Sequence, residues 1–138
     1  MPHSEPVNWQ PITLMPLIAN MIAGALTDSR DQLGTLTQAR ARPHVLDDAT
    51  IDRVDRVYGE QLEFVDIYTQ QIRRWRSESP SADHIGELDR MEKQNQELRA
   101  VTAEVLALAR ELRKGTIDRI MGMSDLELGL QAVLGKSL

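Results

Sequence analysis

One short basic stretch, residues 70–76, holds the side chains best suited by type to bind a ligand. Its arginines, Arg73, Arg74 and Arg76, flank Trp75, and guanidinium groups bind phosphate while an indole ring stacks on a nucleotide base. Because a helix turns by about 100° per residue, Arg73 and Arg76 converge whereas Arg74 points away. The alternative is a structural role, in which the arginines complement the helix dipole and pair with carboxylates of the next helix. The carboxylates within reach are those of Asp83, Glu87 and Asp89. The sequence favours the structural role over contact with an anion or a nucleic acid.

The histidines and carboxylates show no spacing that is typical of a catalytic or metal site. No Glu lies three residues before any of the three histidines, as a di-iron bundle resembling ferritin needs, and His-Glu-x-x-His is absent. The chain has no cysteine, which excludes a thiol nucleophile and thiolate metal ligands and fits a reducing compartment. Gly129 and Gly135 resemble the glycines of a phosphate-binding loop, but five residues separate them instead of four. We therefore predict a cytoplasmic protein that is not an enzyme and needs no cofactor, with no small-molecule substrate.

The most apolar run of the chain covers residues 11–26. It is shorter than the roughly 20 residues that a membrane-spanning helix needs, and Pro11 and Pro16 interrupt its start. No Lys or Arg precedes it, whereas a secretory leader begins with a positive segment. The run therefore predicts a core helix of a protein that does not associate with a membrane.

Composition indicates a folded, helical domain. The chain has 138 residues, of which 41% are hydrophobic and 27% charged, as in ordinary globular proteins. Aromatic residues make up 4%, so the core must consist of aliphatic side chains, which suit helices. The net charge of −5 argues against broad, salt-driven binding to nucleic acid.

The strongest pattern is a stripe of apolar positions at alternating spacings of three and four residues, which places them on one face of a helix. The stripe consists of Ile51, Val54, Tyr58, Gln61, Val65, Tyr68, Ile72 and Trp75. It predicts a helix over residues 47–77, about 45 Å long, whose first residues include Asp47, Asp48 and Thr50 as candidate caps.

Two more long helices follow from similar signals. A first helix is predicted over residues 16–38, with Leu17 and Met21 among its inward positions. A third is predicted over residues 80–114, opened by Ser79 as cap and closed by Gly115 in a left-handed conformation. Its inward positions include Leu88, Met91, Asn95 and Leu98. Short helical segments are expected at 117–121 and after the capping box of residues 124–127.

These elements predict an all-α fold, an antiparallel bundle of three long helices with one or two short C-terminal helices that cap its base. Residues 1–10 are expected to be a flexible segment, and residues 11–138 a single helical-bundle domain. Because the first helix is the shortest, we expect helices two and three to project as a coiled-coil-like hairpin, with its tip at 77–81.

A projecting hairpin would leave apolar surface uncovered, and such surface usually marks an interface between proteins. The predicted interface residues are Tyr68, Ile72, Trp75, Ile85, Leu88, Met91 and Asn95. The sequence thus favours a non-enzymatic interaction module that forms a homodimer or binds another helical protein. A buried Asn95 would fix its register or oligomeric state, and the alternative is that Asn95 is simply exposed near the thin hairpin. The alternatives are a nucleic-acid accessory protein that uses Arg73, Arg74 and Arg76, and a helical-bundle enzyme or binder of an apolar ligand.

Overall fold

The computed structural model describes residues 8–122, of which 85% are helical and none lies in a strand. The long helices are α1 (Met15–Ala39), α2 (Asp48–Ser77) and α3 (Ala82–Arg113), and a short α4 spans Ile117–Met121. Single turns of 3₁₀ helix at Ile12–Leu14 and Pro43–Val45 precede α1 and α2. The predicted all-α bundle of three long helices is confirmed, while the helix expected after residue 124 lies outside the described residues.

Helix α3 lies between the other two long helices. It packs along α1 and along α2, whereas α1 and α2 approach each other much less closely. Short connections reverse the chain twice, so α1 and α3 run in the same direction. Two exposed ion pairs show this parallel direction, because the partners advance together along both helices: Arg30 pairs with Glu97 at 2.9 Å and Arg40 with Glu111 at 3.3 Å. The arrangement leaves a groove between α1 and α2.

The core consists of two apolar clusters with a polar layer between them. The cluster near the tip, where α2 turns into α3, includes Met15, Ile22, Trp75, Leu88 and Met91. The cluster near the base includes Leu36, Ile51, Val105 and Leu112. At the level between them, the Gln61 amide nitrogen donates to the hydroxyls of Ser29 and Thr102, at 2.8 Å each. One side chain of α2 is therefore bonded to both of the other long helices.

The helix starts depend on side-chain caps, one of which differs from the prediction. The Asp47 carboxylate accepts from the Thr50 N–H at 2.8 Å, and hydrogen bonds from the side chain and the backbone of Thr50 lower the pKa of Asp47. At α3 the cap is Ser81, which accepts from the His84 N–H at 3.2 Å. The predicted cap, Ser79, instead has a φ of 52° in the turn. The connection is therefore two residues longer than the sequence suggested, because Ser79 reverses the chain in a left-handed conformation.

The conformation predicted for Gly115 is also corrected. No glycine within residues 8–122 has a positive φ, so Gly115 does not form a left-handed cap. A Cβ atom at this position would lie 2.8 Å from Cγ of Pro43. Glycine is needed here because the loop before α2 packs directly on the backbone that leaves α3.

The predicted projecting hairpin is corrected as well, because α1 runs beside it as far as the tip. Met15 at the start of α1 belongs to the same cluster as Trp75. The residues before α1 also pack on the end of α2. The Gln10 carbonyl accepts from the indole N–H of Trp75 at 3.0 Å and from the Gln71 amide at 3.3 Å. With 25, 30 and 32 residues, the three helices are similar enough in length for all of them to span the bundle.

Candidate interaction surface

The predicted interface residues lie mostly inside the bundle. Six of them are buried, namely Tyr68, Ile72, Trp75, Leu88, Met91 and Asn95. Only Ile85 is well exposed, at 44%. The apolar surface that the sequence left uncovered is covered by Met15, Ile22 and Leu26 of α1. These side chains are therefore contacts between helices of one chain and are not free to receive a second one.

The three arginines of the basic stretch have different surroundings. Arg76 is half-buried and pairs with Asp89 at 2.9 Å and with Glu92 at 3.2 Å. Arg74 places its guanidinium carbon 5.1 Å from the ring centroid of Trp9. Arg73 is exposed on the same helix. The pairing of Arg76 with Asp89 agrees with the structural role favoured by the sequence, and contact with an anion or a nucleic acid stays a prediction.

Asn95 is buried, with 3% of its surface exposed. Its amide nitrogen donates to the Val65 carbonyl at 3.1 Å and to the Thr69 hydroxyl at 3.0 Å, which fixes α3 against α2. Its amide oxygen has no hydrogen-bond partner within the described part of the chain. Asn95 thus sets the pairing of two helices in one chain, at the cost of one unpartnered polar atom.

A group of exposed apolar side chains lies at the tip end of α1. We call it the α1 apolar face: Leu14, Leu17 and Met21, which are 36%, 55% and 46% exposed. No charged residue occurs from Pro11 to Thr27, so this part of α1 has no charged side to turn to solvent. The segment Ile12–Ala39 is long and apolar enough to cross a membrane by length and composition, yet only 22% of its most apolar window is buried. The most apolar helix of the bundle is therefore covered on one side only.

Helix α2 extends this apolar surface across the groove. Phe64 is 52% exposed and Val57 is 45% exposed, and both turn towards α1. Phe64 stacks on Tyr68 with 6.4 Å between ring centroids, and burial raises the pKa of the Tyr68 hydroxyl. Met21 lies one helical turn before Ala25, which lines the same part of the groove as Phe64. The α1 apolar face and Phe64 are therefore neighbours.

Two adjoining pockets of about 220 Å³ each make up what we call the α1–α2 groove. The pocket in the middle of the bundle is lined by Ala25, Val57, Glu60, Gln61, Phe64, Tyr68 and Leu98. The pocket nearer the base is lined by Gln32, Thr50, Arg53, Val54, Val57 and Tyr58. Val57 belongs to both pockets, so the groove is continuous along α2. A groove of this kind between two helices is where a further helix packs in a four-helix bundle.

The sequence reasoning placed Leu17 and Met21 inside, and the structure places them outside. Periodicity alone could not choose between the two, because a run without charged residues has no polar face to mark the outside. The signal that was available is the absence of charge itself. A helix that is apolar all round is typical of a buried core or of a membrane span.

Within residues 8–122, no group of three His, Cys, Asp or Glu side chains is placed to hold a metal ion. The carboxylates near the base, such as Asp52 and Asp55, are engaged by Arg113 at 2.8 Å, and these bonds raise the pKa of its guanidinium. The chain matches no protein family, no curated protein and no solved structure.

Proposed function

We propose that this chain is a non-enzymatic, helical protein–protein interaction module that self-associates through the α1 apolar face. The observation that carries the proposal is the exposure of Leu14, Leu17 and Met21 on a helical stretch without charge. Phe64 of α2 adds an aromatic ring to the same surface. A contiguous apolar surface of this kind on a small bundle typically marks a protein interface.

The size of the surface predicts a weak, reversible dimer. Full burial of a large apolar side chain contributes about 1.5–3 kcal/mol, so a half-exposed one gains roughly half of that on pairing. Four such side chains from each of two copies give roughly 6–12 kcal/mol, against a cost of association of about 4–15 kcal/mol. The two ranges overlap, which favours association that depends on protein concentration over an obligate dimer.

A second copy suits this surface better than a membrane or a nucleic acid does. Helix α1 carries no Lys or Arg before Arg30, so the part of α1 that bears the face lacks the basic polar side with which amphipathic surface helices bind anionic lipid. The net charge of −5 disfavours both kinds of polyanion. A second copy presents the same apolar patch, and a two-fold contact between identical patches is complementary by symmetry.

The proposal is tested by sedimentation velocity over a series of micromolar concentrations, with Met21→Glu and Ile85→Glu as a matched pair. The two positions are equally exposed, at 46% and 44%, but lie on different helices. We expect the average mass of the wild type and of Ile85→Glu to rise with concentration, and Met21→Glu to stay a monomer. Circular dichroism should show the same helix content in all three proteins. A wild type that stays monomeric, or equal loss of association in both variants, would contradict the proposal.

A further inference from the structure

We infer that α2 carries a second surface for self-association, on which two copies of this chain pair in antiparallel directions through complementary charges. We call this surface the α2 charge stripe, and it consists of Arg53, Arg56, Glu60 and Glu63. Spacings of three, four and three residues place the four side chains on one face of α2, and all four are exposed. The inference goes beyond the proposed function, because this surface differs from the α1 apolar face.

The charges of the stripe are not engaged within the described chain. None of the four side chains forms an ion pair within residues 8–122. The other acids of α2 do form such pairs, which are Asp48 with Arg119, Asp52 and Asp55 with Arg113, and Asp66 with Arg99. Arg56 and Glu60 are four residues apart, but a base that precedes an acid at this spacing is the weaker of the two orders. The stripe therefore offers its charges to a partner outside the chain.

The order of the charges along the stripe is self-complementary. Two bases come first and two acids follow, and the midpoint of the four positions is Tyr58. In a two-fold antiparallel pair centred at that level, Arg53 of each copy faces Glu63 of the other. In the same pair, Arg56 of each copy faces Glu60 of the other. One contact between two copies thus brings together four pairs of opposite charge.

Other arrangements of the same two helices set like charges against each other. A parallel pair in register would place each charged residue beside the same residue of the other copy. A shift of the antiparallel pair by seven residues would place Arg53 beside Arg56 in one direction, or Glu60 beside Glu63 in the other. Opposed like charges disfavour these alternatives, as they do between the helices of a coiled coil. The pattern therefore specifies both the direction and the register of the pair.

Exposed apolar side chains lie beside the stripe. Val57 is 45% exposed and lies one residue from the centre of the pair, so the Val57 side chains of the two copies meet across the two-fold axis. Phe64 is 52% exposed and reaches the level of residue 52 of the other copy, next to Arg53. A guanidinium group stacks favourably on an aromatic ring. Pairing therefore also removes apolar surface of both copies from water.

The centre of the stripe lies nearer the base than the α1 apolar face does. Gln61 donates a hydrogen bond to Ser29, so these two residues mark one level of the bundle. Met21 lies eight residues from Ser29 towards the tip, and Tyr58 lies three residues from Gln61 towards the base. At 1.5 Å per residue, the two surfaces are therefore about 16 Å apart along the bundle. Because exposed ion pairs stabilise weakly, we expect the α2 contact to form above the micromolar range in which the α1 apolar face is tested.

Cross-linking between chains tests the contact, because the chain has no cysteine of its own. The test variant is Val57→Cys and the control is Ile85→Cys, since these positions are equally exposed, at 45% and 44%. Both proteins also carry Met21→Glu, so the result does not depend on the α1 apolar face. With a short bismaleimide and about 100 μM protein, we expect the link between two chains to form roughly tenfold faster in the test variant, because pairing raises the effective concentration. Equal rates in the two proteins would overturn the inference.

Charge reversal in the test variant identifies the ion pairs. Arg53→Glu with Arg56→Glu leaves four acids on the stripe, and we expect the rate to fall to that of the control. Glu60→Lys with Glu63→Lys leaves four bases, and the rate should fall equally. An equimolar mixture of these two variants should restore the rate, with mass spectrometry showing links mostly between unlike chains. Restoration also shows that both variants are folded. Variants that still link as fast as the test variant, or a mixture that stays slow, would refute the pairing.

Discussion

Gly115 and Pro43 pack so closely that a Cβ atom on Gly115 would lie 2.8 Å from Cγ and 3.2 Å from Cβ of the proline. This contact joins the end of α3 to the 3₁₀ turn between α1 and α2. The hydrogen bond from the Ile117 N–H to the Leu46 carbonyl continues the same junction at 2.7 Å. The base of the bundle is therefore closed by backbone that only glycine permits to approach.

Gly115→Ala should destabilise the protein by about 1–3 kcal/mol, since a proline ring has no other rotamer in which to avoid the new methyl group. Gly34→Ala is the control, because a Cβ at this exposed position in α1 meets nothing within 4 Å. It should stabilise the helix by about 0.5–1 kcal/mol. Urea unfolding followed by circular dichroism measures both changes. A stabilising effect of Gly115→Ala would contradict the prediction, because it would show that Pro43 can move away from the new methyl group at little cost.

The polar layer at Gln61 gives a second prediction. The hydroxyls of Ser29 and Thr102, which accept from Gln61, themselves donate to the Ala25 and Leu98 carbonyls at 2.6 Å. Gln61→Ala removes the two inter-helix bonds and leaves a gap, at a cost of about 1–3 kcal/mol. Gln70→Ala, at an exposed position of the same helix, should change stability by less than about 0.5 kcal/mol.

Replacing the polar layer by apolar side chains should restore most of the stability that Gln61→Ala loses. The combination of Ser29→Ala, Gln61→Leu and Thr102→Val replaces all three side chains that the Gln61 hydrogen bonds join, so none of the three keeps a polar group without its partner. Equilibrium unfolding in urea compares this triple variant with Gln61→Ala. A triple variant less stable than Gln61→Ala would mean that the layer contributes far more than its hydrogen bonds.

The sequence predicted the inner face of α2 well, because its charges oppose its apolar stripe. From Ile51 to Trp75, the positions of that stripe are buried except for Gln61, which is half-buried and bonded. Helix α1 offers no such contrast between Pro11 and Thr27, so local periodicity could not orient Leu17 and Met21. Orientation there depends on how α1 sits on α3, which is a property of the assembled bundle.

The other corrections have the same kind of cause. The role of Gly115 depends on Pro43, which is far from it in the sequence, and no local signal announces that contact. Ser79 and Ser81 are both good caps by residue type, and the path of the turn decides between them. The predicted interface residues are buried because the start of α1 and Gln10 reach the tip and pack on them.

Asn95 gives a third prediction, because its amide oxygen is buried without a partner in the described residues. Asn95→Leu removes that unpartnered atom together with two hydrogen bonds, so stability should change by less than about 1 kcal/mol. Asn95→Asp keeps the shape but buries a carboxylate beside the Val65 carbonyl, and should cost about 3 kcal/mol or more at neutral pH.

The pH dependence of the stability of Asn95→Asp tests whether the buried negative charge causes its destabilisation. Burial favours the neutral form of the new carboxyl and so raises its pKa in the folded state. The penalty should therefore shrink as pH falls towards the pKa of about 4 that an exposed Asp has. Urea unfolding of both Asn95 variants between neutral and acidic pH measures these effects. A penalty that does not depend on pH would point to a steric cause instead.

Tyr68 gives a fourth prediction, for alkaline solution. Burial raises the pKa of its hydroxyl in the folded protein above the usual value of 10.0. Below the unfolded pKa, both states hold the proton and Tyr68 adds no pH dependence. As pH rises from there through the folded pKa, the unfolded state loses the proton first, so stability falls.

Tyr68→Phe keeps the ring that stacks on Phe64 but removes the titrating group. Urea midpoints measured from about pH 8 to about pH 11 should therefore fall less for Tyr68→Phe than for the wild type. Tyr58, whose pKa is also raised by burial, is present in both proteins and contributes equally to both curves. Parallel curves would show that the Tyr68 hydroxyl ionises as freely in the folded protein as in the unfolded chain.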